Sequence, residues 1–157
     1  MIEPGTPLIA GNNDGLNMVI RLFDPSDEKS VIKLWADCGL VVPWNSPCRD
    51  IRRKLKVQAE GFLVASAEAQ IIATVMAGYD GHRGWINYLA VNPGFRHRGI
   101  GRRLMEAAED YLQALGCPKI NLQVRSSNTG VVEFYNRIGF KPDDVVSLGK
   151  RLESDEV

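Results

Sequence analysis

An apolar strand that leads through a short loop into a long amphipathic helix most constrains the fold of this chain. The strand is predicted at residues 85–91, the loop at 92–98 and the helix at 99–115. One face of the helix is apolar and carries Ile100, Leu104, Ala108, Tyr111 and Leu115. A helix with such a face has to pack on a second layer, and a strand predicted at residues 119–124 completes a β-α-β unit.

Hairpin signals upstream of this unit predict a sheet that is mixed rather than wholly parallel. Apolar, partly β-branched runs at residues 62–67 and 71–79 are joined by the short turn Glu68-Ala69-Gln70. Further strands are predicted at residues 18–23 and 145–151, and further helices at residues 24–39, 46–58 and 128–138. This order predicts an α/β fold of the α+β type, with helices flanking a mixed, mostly antiparallel sheet.

The length of 157 residues suits one domain with one core. Residues 1–17 are rich in Gly, Pro and Asn and have no hydrophobic period, which predicts a flexible N-terminal tail. We expect residues 18–152 to form the single domain and residues 153–157 to form a short acidic C-terminal tail.

Charge and cysteine content argue against several classes of function. Lys plus Arg total 19 and Asp plus Glu total 19, so no overall basic field is available to hold nucleic acid or an anionic membrane. The 3 cysteines form no C-x-x-C pair, so neither a disulfide framework nor a metal site is predicted. The absence of a signal-peptide pattern and of a membrane-spanning apolar run favours a cytoplasmic location.

The start of the long helix predicts a site for a phosphate or diphosphate group. Backbone N–H groups in a first helical turn lack internal partners, and the helix dipole adds partial positive charge there. Glycines at positions 99 and 101 would let a bulky anion approach, although they could also serve only a tight turn. The loop lacks the third glycine of a dinucleotide-binding motif and the Gly-Lys-Ser/Thr of a P-loop. The candidate residues are Arg96, His97, Arg98, Gly99, Ile100, Gly101 and Arg102, with Arg103 adding charge.

Two linked motifs resemble the GCN5-related N-acetyltransferase (GNAT) family. The run Arg96-His97-Arg98-Gly99-Ile100-Gly101 matches its pattern of Arg or Gln, two residues, Gly, one residue, then Gly or Ala. The segment 128–140 resembles its closing motif, in which Asn starts a helix and Tyr-x-x-x-Gly-Phe ends it. The resemblance covers residues 62–152, and the runs GYDGHRG, PW and SLGKRL look most like the bacterial YpeA-like acetyltransferases. It implies a sheet splayed between the strands at 85–91 and 119–124.

The resemblance also implies acetyl-CoA as the co-substrate and assigns roles to particular residues. Backbone amides from Arg96 to Arg102 would hold the diphosphate, and Leu89, Ala90, Val91 and Asn128 would contact the pantetheine arm. Tyr135 would act as the general acid that protonates the departing thiolate, whereas helical spacing alone would place this residue in the core.

The residue that deprotonates the amine departs from the family pattern. A Glu that stands five residues before the Asn in the ribosomal-protein alanine N-acetyltransferases is Gln123 here. Asp80 and His82, in the loop before residues 85–91, remain as base candidates, with a turn former and an exposed loop histidine as the alternatives. For the acceptor site we expect Trp44, Asn45 and Tyr88, although Trp44 could equally be a hydrophobic plug.

The function that these motifs favour is direct acetyl transfer to a primary amine within a ternary complex. The acceptor would be a small-molecule or peptide amine, and the resemblance allows a homodimer. Two alternatives remain open from the sequence. One is a non-catalytic acyl-CoA-binding or sensing domain of the same fold. The other is a structural or partner-binding module that uses its glycines only for turns.

Overall fold

A computed structural model describes residues 2–156, in which six strands form one sheet and four α-helices cover it. The strands are β1 (Pro7–Asn13), β2 (Leu16–Leu22), β3 (Phe62–Ala67), β4 (Gln70–Tyr79), β5 (Gly84–Val91) and β6 (Ile120–Leu122). The helices are α1 (Glu28–Asp37), α2 (Pro47–Lys56), α3 (Ile100–Ala114) and α4 (Thr129–Arg137). None of these helices is both long and apolar enough to cross a bilayer.

The sheet has the order β1-β2-β3-β4-β5-β6, so strands that are neighbours in sequence are also neighbours in space. Every pair is antiparallel except β5 and β6, which run parallel because α3 connects them. The predicted mixed and mostly antiparallel sheet with flanking helices is therefore confirmed.

Each face of the sheet carries its own core. Strand β3 alternates between them, because Leu63 and Ala65 pack with α3 whereas Phe62 and Val64 pack with α1 and α2. This burial on both faces explains why β3 reads as a continuous apolar run. The sheet therefore has two buried faces, which we call the α3–α4 face and the α1–α2 face.

The prediction of a flexible tail over residues 1–17 is wrong for most of that segment. Residues 7–13 form β1, which pairs with β2 through a turn in which Asp14 and Gly15 have φ values of 53° and 80°. Two consecutive positive φ angles match the twist of a two-residue hairpin, for which Asp-Gly is a preferred sequence. The ordered chain accordingly begins well before residue 18.

The C-terminal predictions also need correction. Residues 145–151 form no strand, and they run beside β6 on side-chain contacts such as the hydrogen bond that Gln123 donates to Ser147. Just before this segment, the side chains of Lys119 and Asn121 donate hydrogen bonds to the Asp143 carboxylate at 2.8 Å and 3.0 Å. Because these bonds run through side chains, the backbone of the segment stays a side-chain length away from the β6 backbone. Farther on, Asp155 is buried, so the described part of the predicted tail at residues 153–157 is not simply an exposed acidic segment; Val157 lies outside the described residues.

Strands β5 and β6 separate after a short paired stretch, as the family resemblance implied. Their register joins Gly84 to Ile120, Trp85 to Asn121 and Ile86 to Leu122. Beyond this point β5 continues from Asn87 to Val91 with no strand partner on its β6 side among the described residues. A free strand edge therefore borders a cleft in the sheet.

A bulge bends β5 where the cleft opens. The register with β4 shifts between Thr74 and Met76, and Tyr88 takes a left-handed conformation with φ 51°. Two tethers hold Tyr88: its ring stacks on buried Trp35 with centroids 3.8 Å apart, and its carbonyl accepts a 2.9 Å hydrogen bond from the Thr74 hydroxyl. Trp35 Nε1 donates to the same hydroxyl at 2.9 Å. The Thr74 hydroxyl thus connects both α1 and the bulge to β4 through hydrogen bonds.

Thr74→Val tests this tether. The substitution keeps the shape of the side chain but leaves the Trp35 indole N–H buried without its acceptor, which should lower the free energy of unfolding by about 1–3 kcal/mol. Urea unfolding followed by circular dichroism would measure the change. Thr129→Val, at an exposed site in α4, is the matched control and should be nearly neutral. Equal stability of the two variants would contradict a tethering role for Thr74.

Candidate active site at the divergence of two strands

A row of unused backbone donors precedes and opens helix α3. The N–H groups of residues 96–102 donate no hydrogen bond to any residue between 2 and 156, and the first bond of the helix runs from the Arg103 N–H to the Gly99 carbonyl at 3.2 Å. His97 and Gly99 have φ values of 63° and 75°, which turn the chain sharply into the helix. Such a run of free amides at a helix N-terminus is suited to a phosphate or diphosphate group.

The two glycines of this loop serve different purposes. A Cβ atom on Gly99 would meet nothing within 4 Å, so this position is open and faces no neighbouring side chain. A Cβ atom on Gly101 would come within 3.3 Å of the Phe134 ring, so this glycine allows α3 and α4 to pack closely. Ile100 is buried, and its side chain packs in the core.

The arginines near the loop are not equivalent. Arg96 is anchored to the end of β5 through a 3.1 Å bond from Nε to the Val91 carbonyl, and the Arg98 guanidinium lies 5.6 Å from the Phe95 ring centre. Arg102 is exposed and pairs with Glu106 at 3.3 Å. Arg103 instead points toward β1, where its guanidinium would lie 3.4 Å from a Cβ on Gly11. Positive charge at the loop therefore comes mainly from the first three.

The end of β5 joins this loop to the cleft. Leu89 and Val91 pack toward the α3–α4 face, whereas Ala90 is buried toward α1 and α2. The Val91 carbonyl is already occupied, because it accepts from Arg96 and from the Cys38 thiol at 3.3 Å. The backbone of β5 consequently leads from the bulge directly to the free amides.

Tyr135 lies on the α3–α4 side of the cleft. It is only 8% exposed, and its ring packs edge-on against Phe134 and Phe140. Its hydroxyl makes no hydrogen bond with any described residue, and Tyr135 lines a cavity of about 910 Å³ beside β6 and α4. Burial raises the pKa of Tyr135 to about 12, so the phenol stays protonated at neutral pH. Asn128 caps α4, where its Oδ1 accepts from the Val131 N–H at 3.4 Å.

The structure does not bring Asp80 and His82 to the cleft. Asp80 accepts from the N–H groups of Arg83 and His82 at 2.7 Å and 2.8 Å, and these bonds lower the pKa of its carboxyl. Its other oxygen accepts from the Trp85 indole at 3.1 Å, which makes it a turn former. His82 is exposed and lies in the bend before β5, outside the strand that borders the cleft.

Tyr88, one of the residues expected at the acceptor site, lies on the opposite, α1–α2 face of the bulge. The Tyr88 hydroxyl donates to Asp50 of α2 at 2.6 Å, and burial together with this carboxylate raises the pKa of Tyr88. In the loop before α2, Trp44 is exposed and Asn45 accepts from Arg151 at 3.0 Å. Sequence reasoning missed Asp50, because a lone Asp in a charged helix carries no signal of its partner on a distant strand.

Known proteins resemble this chain in both sequence and fold. The profile of the Acetyltransferase (GNAT) family matches residues 28–140. The chain is 47% identical over 139 residues to the acetyltransferase YE1169 of Yersinia enterocolitica, a match that spans 88% of this chain and 99% of that protein.

Two solved structures have the same fold. Ard1 from Thermoplasma volcanium superposes with a TM-score of 0.69 at 25% identity, covering 79% of this chain and 82% of that one. The PaiA N-acetyltransferase from Thermoplasma acidophilum, solved with coenzyme A, gives a TM-score of 0.66 at 21% identity and covers 82% and 92%. The chain is therefore a member of the GNAT family of acetyl-CoA-dependent N-acetyltransferases.

Proposed function

We propose that this enzyme moves the acetyl group of acetyl-CoA to a primary amine by direct attack within a ternary complex. The observation that carries the proposal is the run of free backbone amides at residues 96–102, which opens onto the cleft between β5 and β6. A diphosphate needs several hydrogen-bond donors and an open approach. The free amides of residues 96–102 provide the donors, and the open space at Gly99 provides the approach. The residues of this chain thus fit the co-substrate.

Each part of the site would hold a different part of the co-substrate. The amides of residues 96–102, with the side chains of Arg96, Arg98 and Arg102, would bind the diphosphate. The free edge of β5 at Leu89–Val91 would pair with the amides of the pantetheine arm. Asn128 still has its side-chain NH₂ available for the same arm, because only its oxygen caps α4. When bound, acetyl-CoA supplies the activated thioester.

Tyr135 would supply the proton that the leaving group needs. The new carbon–nitrogen bond forms as the carbon–sulfur bond breaks, and Tyr135 transfers its phenolic proton to the sulfur. The proton lost by the acceptor nitrogen, passed through water, restores the phenol. The support for this role is the position of Tyr135 on α4 beside β6, with a hydroxyl that has no hydrogen-bond partner among residues 2–156. Much of the rate enhancement would come from holding the two reactants together.

Gly99→Glu tests the diphosphate site. A carboxylate placed among the free amides would repel the diphosphate and block at least two charge-assisted hydrogen bonds, so acetyl-CoA affinity should fall by about 100-fold or more. Isothermal titration calorimetry would measure this affinity. Gly116→Glu is the matched control, because Gly116 also has a positive φ and no neighbour within 4 Å but lies just beyond the other end of α3. Equal binding by both variants would rule out this placement of the diphosphate.

Tyr135→Phe tests the general acid. Loss of the hydroxyl should lower kcat by about 100-fold or more while leaving acetyl-CoA affinity unchanged, because general acids contribute at least that factor. Release of free thiol in the presence of an amine panel provides the rate. Tyr111→Phe, a half-buried tyrosine in α3, is the control and should keep wild-type turnover. Full activity of Tyr135→Phe would contradict the general-acid role and leave Tyr135 as a packing residue.

A further inference from the structure

The C-terminal end of the described chain is fastened to the α1–α2 face. Asp155 has a side chain only 1% exposed and accepts two hydrogen bonds from Arg53, at 2.7 Å and 2.8 Å, and one from the Ser46 N–H at 3.2 Å. Arg49 adds a 3.1 Å bond to the Ser154 carbonyl. These bonds, led by those from Arg53, lower the pKa of the Asp155 carboxyl, which is therefore ionised at neutral pH.

The same arginine connects this end of the chain to the bulge in β5. Arg53 Nη1 also donates to Asp50 Oδ1 at 3.1 Å, and Asp50 Oδ2 accepts from the Tyr88 hydroxyl at 2.6 Å. A continuous series of hydrogen bonds therefore runs Asp155–Arg53–Asp50–Tyr88 and ends at the strand that borders the cleft. The Arg53–Asp50 bond lies within α2, whereas Asp155 and Tyr88 come from distant parts of the chain.

The geometry around Arg53 determines how much of the Asp50 carboxylate remains available to other hydrogen-bond donors. A guanidinium pairs best with one carboxylate through two parallel bonds, and Asp155 takes both of these positions. Asp50 is left with a single bond from Arg53 and keeps 24% of its side chain exposed. Without Asp155, Arg53 would be free to pair with Asp50 through both nitrogens and to draw it away from Tyr88.

We propose that Asp155 is a positioning residue of the acceptor side: acting through Arg53, it holds Asp50 and the Tyr88 hydroxyl in place for the amine. This inference rests on the proposed acetyl transfer to a primary amine. Asp50 presents a partly exposed carboxylate, which suits an acceptor that arrives as a cationic ammonium group. Asp155 is then part of the active-site framework, although it lies far in sequence from both family motifs.

Asp155→Asn tests the proposal in the full-length enzyme. Misplacement of acceptor-side groups should lower kcat/KM for the amine by about 10- to 100-fold, mainly through KM, while the Kd for acetyl-CoA stays unchanged. The amine probes are lysine, spermidine, kanamycin and an alanine-starting peptide. Glu153→Gln is the control, because Glu153 approaches Arg53 at 3.5 Å but is 73% exposed. Asp155→Glu, which retains the charge, should recover part of the loss. Wild-type kinetics in Asp155→Asn would overturn the proposal.

A second measurement needs no acceptor. In protein labelled with ¹³C at tyrosine Cζ, the Tyr88 signal is identified by its loss in Tyr88→Phe. It should shift in Asp155→Asn, because the hydrogen bond to Asp50 changes, and it should not shift in Glu153→Gln. An unchanged signal in Asp155→Asn would refute the connection even if no amine is acetylated. A lack of wild-type turnover would count against the proposed function alone.

Arg53→Lys provides the same test if Asp155→Asn does not fold. Lysine keeps the positive charge but cannot bridge both carboxylates through a planar group. We expect the same rise in KM for the amine and the same shift of the Tyr88 signal. Unchanged values of both in a folded Arg53→Lys variant would equally refute the positioning role.

Discussion

The early end of the pairing between β5 and β6 is the constraint on which the rest of the site depends. Only the stretch from Gly84 to Ile86 is joined to β6, so the remainder of β5 keeps unpaired backbone groups on one edge. That edge leads from the bulge at Tyr88 to the free amides that start α3. A sheet paired along its full length would have buried these groups and left no cleft for a pantetheine arm.

The bulge links the two faces of the sheet at this cleft. Trp35 and Thr74 hold the backbone of Tyr88 in its left-handed conformation, and Asp50 holds its hydroxyl. Most of the residues proposed to bind the co-substrate lie toward α3 and α4, whereas Tyr88, proposed at the acceptor side, lies toward α1 and α2. Under the proposed function, the two reactants would approach one strand from opposite sides, and the polar contacts from Asp155 would reach the acceptor side alone.

Local sequence signals predicted most of the fold and two helix starts at the proposed site. The helix start at Gly99 and the Asn128 cap are signalled by residues next to one another in the chain, and both form as expected. The β1–β2 hairpin also had a local signal, Asp14-Gly15. The Gly-, Pro- and Asn-rich composition of residues 1–17 had instead favoured the prediction of a flexible segment. The sequence left Asp80 open between a base and a turn former, because its contacts depend on the orientation of neighbouring N–H groups, which composition does not reveal.

The sequence by itself determined the family, the co-substrate and the loop that fits it, because a glycine-rich helix start is encoded by adjacent residues. Only the tertiary structure decided which residues meet at the proposed acceptor side. Asp50, Tyr88 and Asp155 come from a helix, a strand and the end of the chain, and each is an ordinary polar residue in its own segment. Their partnership follows from long-range packing of α2 on the sheet, which no local pattern specifies.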